Sequence, residues 1–468
     1  MGQGMGQAIM KSSNLRKAYC YLKKNGLKSA YYAALERIMR ENGKTYRYRQ
    51  PGQKNLEAQR AADGYPYRFS ILVPAYETKE AYLREMIDSV LGQSYGNLEL
   101  IIADASRSKQ VETVVRTYAD SRLRYLPLKE NKGIADNTNM ALEKAGGDYV
   151  GLLDHDDVLT PDALYYMAKA ISQKAREGST AWLLYSDEDK GNGEMTEYYE
   201  PHFKPKLNVD LLLSNNYICH FLVMKRELMQ ELRLRAGFDG AQDYDLVLRA
   251  VGKLLYEDGW KERYGGRQAA VHIPKVLYHW RCHGSSTAEN PESKRYAYEA
   301  GRRALEDFLA CRGWKGTVCH TEHLGFYRVH YDGGIFRQRK DAGAEAGRLL
   351  NRRGRICGGA LGRNGRVLYA GLHKNFSGYM HRAVLRQEVY AADIRRMRVR
   401  KELWADFEEV FGVPYREGKD GWFDLAAIGQ KEQADKREAA ALTAEWVAKC
   451  LEFGRRVREK GYTTVWQP

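Results

Sequence analysis

The run Leu152-Leu153-Asp154-His155-Asp156-Asp157 places three carboxylates within four residues, directly after an apolar stretch. Like charges converging on one point repel, so such a cluster either raises the pKa of a member or holds a cation. Hard oxygen ligands suit Mg²⁺ or Mn²⁺, ions that keep positions open for phosphate oxygens. A helix cap ahead of Pro161 explains one aspartate, but not three. A divalent cation is therefore expected at this cluster.

Weaker signals surround it. Asp104 follows the apolar run Leu100–Ala103, with Ser106 two residues on; a carboxylate there serves a base or ribose, or simply an Asx-turn. Asn131-Lys132-Gly133 opens a helix whose N-terminus, together with Lys132, would favour phosphate. In Gly240-Ala241-Gln242-Asp243-Tyr244-Asp245-Leu246 the two aspartates are spaced by two, so they cannot share a helix face. One is free to serve as a general base in a cleft while the other caps or pairs. His279-Trp280-Arg281 closes an apolar run with His283 just beyond; an imidazole there would complete a metal shell, or pack in a core. Three Cys-His dipeptides occur, at Cys219, Cys282 and Cys319, but no spacing matches a zinc site and zinc is discounted.

Short apolar runs alternating with amphipathic stretches would position these groups. Strands are expected at Phe69–Val73, Leu98–Ala103, Leu123–Leu126 and Tyr149–Leu153. Helices fall between them at Lys79–Leu91, Gln110–Tyr118 and Ala135–Lys144. Continuous apolar strands separated by helices imply a parallel sheet covered on both faces. Ligands bind beyond the carboxyl ends of such strands, which makes Pro74–Glu77, Asp104–Ser106 and Asp154–Asp157 neighbours on one rim. Further strands are expected at Trp182–Tyr185, Tyr217–Met224 and Val271–Tyr278. One or two helices are expected within Leu15–Met39, and a polar linker from Gln50 to Gly64.

A chain of 468 residues requires two or three folding units, and its 44% hydrophobic and 29% charged residues exclude a disordered chain. No run approaches a membrane span, and the first thirty residues lack the continuous apolar core of a secretory leader. Seven cysteines without a C-x-x-C pair fit a reducing compartment. The formal charge of +15 is concentrated: Arg337–Arg400 holds 16 Lys/Arg against four acids, a net +12. Such a block faces a polyanion or is a solvated surface.

Taken together, Val73-Pro74-Ala75-Tyr76-Glu77, Asp104, Asn131-Lys132-Gly133, Asp154-His155-Asp156-Asp157, Tyr185-Ser186-Asp187-Glu188-Asp189, Gln242-Asp243-Tyr244-Asp245-Leu246 and His279-Trp280-Arg281 resemble the inverting family-2 glycosyltransferases, over about Phe69 to Tyr331. The resemblance implies a GT-A fold, an α/β Rossmann-like mixed sheet. It divides the chain into a basic helical extension and linker (1–66), the transferase domain (67–331) and a smaller, basic α/β C-terminal domain (332–468). It also implies that Pro74, Tyr76, Glu77 and Asp104 hold the nucleoside, with Lys132 and Asp154 at the donor. Asp154 and Asp156 would be the D-x-D pair on Mn²⁺ or Mg²⁺, His279 a third metal contact and Asp243 the general base. Glu77 stands where asparagine is commoner, and Gln242 replaces an acidic residue, as in the bacterial cell-surface polysaccharide subgroup that this chain most resembles.

That subgroup often carries two such domains. Arg400-Lys401-Glu402-Leu403 echoes Lys225-Arg226-Glu227-Leu228, and Gly421-Trp422-Phe423-Asp424-Leu425 echoes Gln242–Leu246 with Trp422 at the place of the base. No carboxylate cluster like Asp154–Asp157 follows Asp332, so the C-terminal part resembles a degenerate second domain. The partners implied are a nucleotide-diphosphate sugar, a glycan or lipid-linked acceptor and an anionic membrane surface, with the enzyme in the cytoplasm at the inner face of the membrane. Two rivals remain at this stage. A nucleotidyltransferase would need the carboxylates but not Asp243. A non-catalytic membrane- or nucleic-acid-binding protein would use residues 337–400 but leave the Asp154 cluster unexplained; nucleic acid is not an expected partner.

Overall fold

The computed structural model describes residues 22–23, 26–28, 30–36, 46–62, 65–259, 262, 264–283, 295–428 and 442–468. They fall into two compact units: Tyr46–Asn208 with Asn215–His330, and the remainder, in which Val209–Ser214 joins Tyr331–Pro468. Of the helices expected over Leu15–Met39, residues 22–23, 26–28 and 30–36 are helical, and the rest lie outside the described residues. Among the described residues no helix is long and apolar enough to cross a membrane. The stretch expected as a linker carries helix α1 (Gln53–Arg60), anchored by Leu56, and belongs to the first unit.

The first unit is built on a nine-stranded sheet. Its parallel half orders β3 (Leu123–Pro127), β2 (Leu98–Asp104), β1 (Phe69–Ala75) and β4 (Tyr149–Leu152) side by side. β1 and β2 are buried almost throughout, which is why they read as unbroken apolar runs. Helices α2 (Glu80–Leu91), α3 (Gln110–Val115) and α4 (Ile134–Leu142) make the crossovers. Beyond β4 the sheet becomes mixed, as the resemblance implied. β8 (Leu222–Lys225) runs antiparallel to β4 and to β6 (Leu183–Gly191), while β9 (Ala270–Arg281) is parallel to β6 and takes β5 (Val158–Leu159) on its outer edge. β7 (Tyr198–His202) pairs with β6. Apolar runs of four residues carry no direction, so their orientation was not readable from periodicity. α5 (Ala163–Arg176), α6 (Arg226–Leu232), α7 (Gln242–Tyr256) and α8 (Arg295–Cys311) complete the unit, with β10 (Gly316–His320) pairing β11 (Tyr327–Tyr331).

The second unit centres on a four-stranded sheet. β12 (Ala342–Gly347) runs antiparallel to β14 (Met397–Val399) and parallel to β15 (Thr463–Gln467), and β13 (Gln387–Val389) pairs with β15. α9 (Trp404–Phe411) and α10 (Ala444–Glu459) pack Phe407, Phe411 and Phe453 into its core. Much of the basic block is consumed internally. Arg339 is fully buried against Asp210 (2.7 Å) and Asp341 (2.7 Å). Arg395 pairs with buried Asp393, Arg396 with Asp420, and Arg398 with Glu345. Arg400 bonds the carbonyls of Ala342, Phe336 and Arg339. These residues therefore do not form a free cationic face, and only Arg352, Arg353 and Arg355 of those in the block's Arg352–Arg355 turn and Arg395–Arg398 stretch stay exposed.

One buried charge ties the parallel half together. Glu99 on β2, 1% exposed, accepts from Ser70 Oγ (2.6 Å), Gly146 N (2.6 Å), Arg124 (2.9 Å) and Arg68 (3.2 Å). Burial opposes its charge, but these donors outweigh it and hold the carboxyl below its ordinary pKa. A depressed carboxylate contributes stability that is present above its unfolded pKa of about 4.3 and is lost as pH falls through the folded value. Glu99→Gln should cost about 2 kcal/mol at pH 7. Melting curves taken down the acid limb should show the wild type's lead shrinking below about pH 4.

Candidate active site

The parallel register brings the predicted rim together. Ala75 stands opposite Asp104, Asp104 opposite Pro127, and Leu72 opposite Leu152, so the turns after β1, β2 and β4 leave the sheet at one edge. Pro74 is the penultimate residue of β1, and Tyr76 projects 41% exposed just beyond the strand. Glu77 adopts a left-handed φ of 47° and grips the next turn, accepting from Arg107 N (2.7 Å), Ser108 N (3.1 Å) and Ser108 Oγ (2.7 Å). Those donors, Ser108 first, lower its pKa. Asp104 is 4% exposed and accepts from Ser106 N (2.9 Å) and the Tyr125 hydroxyl (2.8 Å). Both carboxylates brace the loop at the end of β2.

The expectation that the N-terminus of α4 takes phosphate is corrected: the protein fills it with its own anion. Asp239 Oδ1 accepts from Ala135 N (3.2 Å), and Gly133, at φ +97°, leaves room for that carboxylate, whose Oδ2 would lie 2.2 Å from an added Cβ. Lys132 is exposed and pairs with Glu130 at 3.0 Å.

The carboxylate cluster divides by role. Asp157, 1% exposed, accepts from Arg281 N (2.7 Å) and from the Tyr278 hydroxyl; burial first, then the Asp156 and Asp154 charges, push its pKa well up. Arg281 Nε donates to the Asp156 carbonyl (2.5 Å), and its guanidinium, fully buried, also reaches Gly193 O (2.6 Å) and Glu85 (2.5 Å). This scaffold fixes the turn and leaves Asp154 and Asp156 aimed outward. Asp156 Oδ2 meets His283 Nε2 at 2.9 Å, and Asp154 Oδ2 faces His220 Nε2 at 3.9 Å. The Asp154 side chain keeps 45% of its surface open, yet loss of solvent raises its pKa; Asp156 and Asp243 add to the rise while His220 and His155 pull it back. Among the described residues no Lys or Arg pairs with Asp154 or Asp156. Unrelieved carboxylates beside imidazole nitrogen form an oxygen-rich donor set that fits Mg²⁺ or Mn²⁺.

His279 is not part of this set, and the expectation that it is a metal contact is corrected. Side chains alternate along a strand. Tyr278 faces the site, where its ring stacks on His220 at 4.8 Å, so His279 points the other way. There it is 2% exposed, bonded through Nδ1 to Asp189 (2.5 Å) and enclosed by Tyr48 and Tyr198. The Tyr46 hydroxyl completes Asp189 at 2.7 Å. The imidazole beside Asp156 is His283.

The same alternation brings Glu188, opposite Tyr278 in the ladder, to the site face. It bonds His220 Nδ1 (3.3 Å) and His202 Nδ1 (3.2 Å) and lies 3.5 Å from the buried ammonium of Lys204. Burial resists its charge, but Lys204, His202 and His220 hold the carboxyl well below its ordinary pKa. Burial likewise disfavours a charged His220, and Cys219 and Glu188 override it, raising the imidazole. The anionic partner sets the ring, with Nε2 toward the cleft. Neither Glu188 nor His220 was singled out from sequence; Glu188 stood in the acidic run after Tyr185, but the parity separating it from Asp187 and Asp189 was not legible there.

At the start of α7 the two aspartates separate as their spacing requires. Asp245, 1% exposed, is locked by Arg235 and by Arg249 at 2.7 Å. Asp243 Oδ2 accepts from Asn216 Nδ2 (2.8 Å), and a ligand atom of Asp243 lies within 4.8 Å of Cys219 and His220. Asp154, Asp156, His220, Asp243 and His283 thus share one region. A cavity of about 280 Å³ lined by Tyr67, Asp148, Tyr149 and Lys225 lies at the amino end of β4, away from these groups.

Residues 70–233 match the family model described as Glycosyl transferase family 2. The chain is 44% identical over 245 residues to the Sinorhizobium fredii protein y4gI, covering 52% of this chain and 25% of that protein. It is 35% identical over 266 residues to the O-antigen biosynthesis protein RfbC of Myxococcus xanthus, covering 56% and 19%. The chain thus spans a quarter or less of these relatives. The crystal structure of S. aureus TarS residues 1–349 in complex with UDP superposes over 52% of this chain and 65% of that one, with a TM-score of 0.38 and 17% identity.

Asp245→Ala should destabilise the protein by about 2–3 kcal/mol by taking the buried carboxylate partner from Arg235 and Arg249, whereas Asp243→Asn should change stability by less than about 0.5 kcal/mol. Urea unfolding of the two variants checks the division of labour.

Proposed function

We propose, from the match of residues 70–233 to the glycosyl transferase family 2 model, that the chain transfers a sugar from a nucleotide-diphosphate donor to an acceptor hydroxyl with inversion. The observation that carries this reading is the convergence of the outward-facing Asp154–Asp156 pair with Asp243, whose carboxylate no Lys or Arg pairs with among the described residues. The acceptor hydroxyl attacks the anomeric carbon from the face opposite the diphosphate. Asp243 receives its proton through the carboxylate that Asn216 orients by Oδ2. Asp154, Asp156 and His283 are the residues that would hold a divalent cation. When bound, that ion neutralises charge on the departing diphosphate. Pro74, Tyr76 and the loop braced by Glu77 and Asp104 form the nucleoside side of the rim, and exposed Lys132 would serve the donor diphosphate.

The acceptor we assign is a glycan, carried on a lipid, in cell-surface polysaccharide assembly at the cytoplasmic face of the membrane. Support comes from the relative named for O-antigen biosynthesis. Docking to an anionic surface falls to exposed Arg352, Arg353 and Arg355, since Arg395, Arg396 and Arg398 are engaged in ion pairs. Neutralising that exposed trio should abolish sedimentation with anionic vesicles.

We read the second unit as the remnant of another transferase domain. The support is one of register. β6 pairs Leu183 with Met224 and with Ala270; β12 pairs Ala344 with Val399 and with Thr464. In each case one antiparallel and one parallel neighbour flank the strand, and Lys225-Arg226-Glu227-Leu228 and Arg400-Lys401-Glu402-Leu403 stand at the end of the antiparallel one, Lys225 as its last residue and Arg400 just beyond it. A donor-sugar titration by calorimetry should accordingly give one site per chain, lost in Asp156→Ala.

Nucleotide release from UDP-, dTDP- and GDP-sugars, measured with Mn²⁺, Mg²⁺ and EDTA, tests the reaction. One donor should turn over, chelation should stop it, and Asp243→Asn should lower kcat about 10³-fold while leaving donor affinity intact. Asp156→Ala should weaken metal-dependent donor binding. Normal rates in both variants would contradict the assignment.

A further inference from the structure

The sequence alone discounted zinc, because no Cys-His dipeptide has a partner at metal-ligand spacing. The fold supplies one for Cys219-His220. A sulfur, an imidazole nitrogen and a carboxylate oxygen, from Cys219, His220 and Asp243, lie within 4.8 Å of one another. The geometry points to a second metal site, selective for a thiolate-seeking ion such as Zn²⁺, adjoining the oxygen-rich pair Asp154–Asp156, whose Asp154 Oδ2 lies 3.9 Å from His220 Nε2.

Three features make the cluster a built site. The donors are mixed sulfur, nitrogen and oxygen, the set that selects Zn²⁺ over Mg²⁺ or Mn²⁺. Two of the three are already oriented from behind: Glu188 bonds His220 Nδ1 at 3.3 Å, and Asn216 bonds Asp243 Oδ2 at 2.8 Å. A carboxylate behind a ligating histidine is the usual second partner in zinc sites. Cys219 is 9% exposed, so its sulfur is sheltered from oxidants in bulk solvent. Three protein ligands leave the fourth tetrahedral position open. Binding displaces the thiol proton to solvent and forms a Cys219 sulfur–zinc bond.

The consequence rests on the reading of Asp243 as the base. A zinc ion held at this cluster occupies the lone pair that would take the acceptor's proton. Zn²⁺ therefore inhibits transfer even when the Asp154–Asp156 site is filled by Mg²⁺.

The test uses the full chain, with Co²⁺ as a spectroscopic stand-in and Mg²⁺ in excess. Wild-type protein should develop a near-ultraviolet thiolate-to-cobalt absorption, removed by stoichiometric Zn²⁺. Cys219→Ser should lack it, with an unchanged circular dichroism melt showing that the variant folds. Asp243→Asn, which keeps the thiol, should weaken Zn²⁺ binding about tenfold or more. A double change at the exposed Cys311 and Cys319 should leave the band in place. Absence of the band in wild type, or its survival in Cys219→Ser, overturns the site. In nucleotide-release assays Zn²⁺ should slow the wild type and spare Cys219→Ser. Zinc bound at Cys219 without slowing would leave the site standing and remove Asp243 from the role of base.

Discussion

The fully buried guanidinium of Arg281 is the interaction on which the site depends. It binds the carbonyl of Asp156, while its backbone N–H holds the Asp157 carboxylate. Three adjacent carboxylates would otherwise repel one another and unravel the turn. Committing Asp157 to Arg281 and Tyr278 fixes the backbone and leaves Asp154 and Asp156 facing out with their repulsion unrelieved. A strand end so arranged is a cation site by construction, provided that the strand pairing brings β9 alongside β5, as it does at Val158 and His279.

Alternation along β6 and β9 then sorts the remaining polar groups. Glu188 and Tyr278 share the face that holds His220, while Asp189 and His279 share the opposite one with Tyr46 and Tyr48. One residue of offset separates a group that orients the site from one buried in a tyrosine-lined core. The acidic run Asp187-Glu188-Asp189 would be costly inside a strand if unpaired. It is tolerated because His272, Lys204, His202 and His279 each meet one of its carboxylates.

This explains what was legible in the sequence. β1, β2 and β4 are largely buried, so their apolar runs and the polar residues ending them located the rim and the outward carboxylates to within a residue or two. That Asp243 and Asp245 part company followed from helix geometry, which forbids two residues so spaced from facing the same way; which of them faces the cleft did not. The error at His279 came from not knowing the parity of β9, which depends on the bulges between Ser186 and Glu188. Glu188, His220 and Asn216 converge from three segments, and only tertiary structure joins them. The basic block misled for a related reason: composition counts guanidiniums, whereas Arg339, Arg395 and Arg400 are spent inside the second unit on Asp210, Asp393 and backbone carbonyls.

The central claim is a single displacement with Asp243 as base, and the stereochemistry of the product tests it most directly. Proton NMR of the linkage formed from an α-linked nucleotide sugar should show the large anomeric coupling of a β-glycoside in a gluco-configured product, without an intervening enzyme-bound sugar. An α-linked product would require two displacements or front-face departure, and would contradict the account.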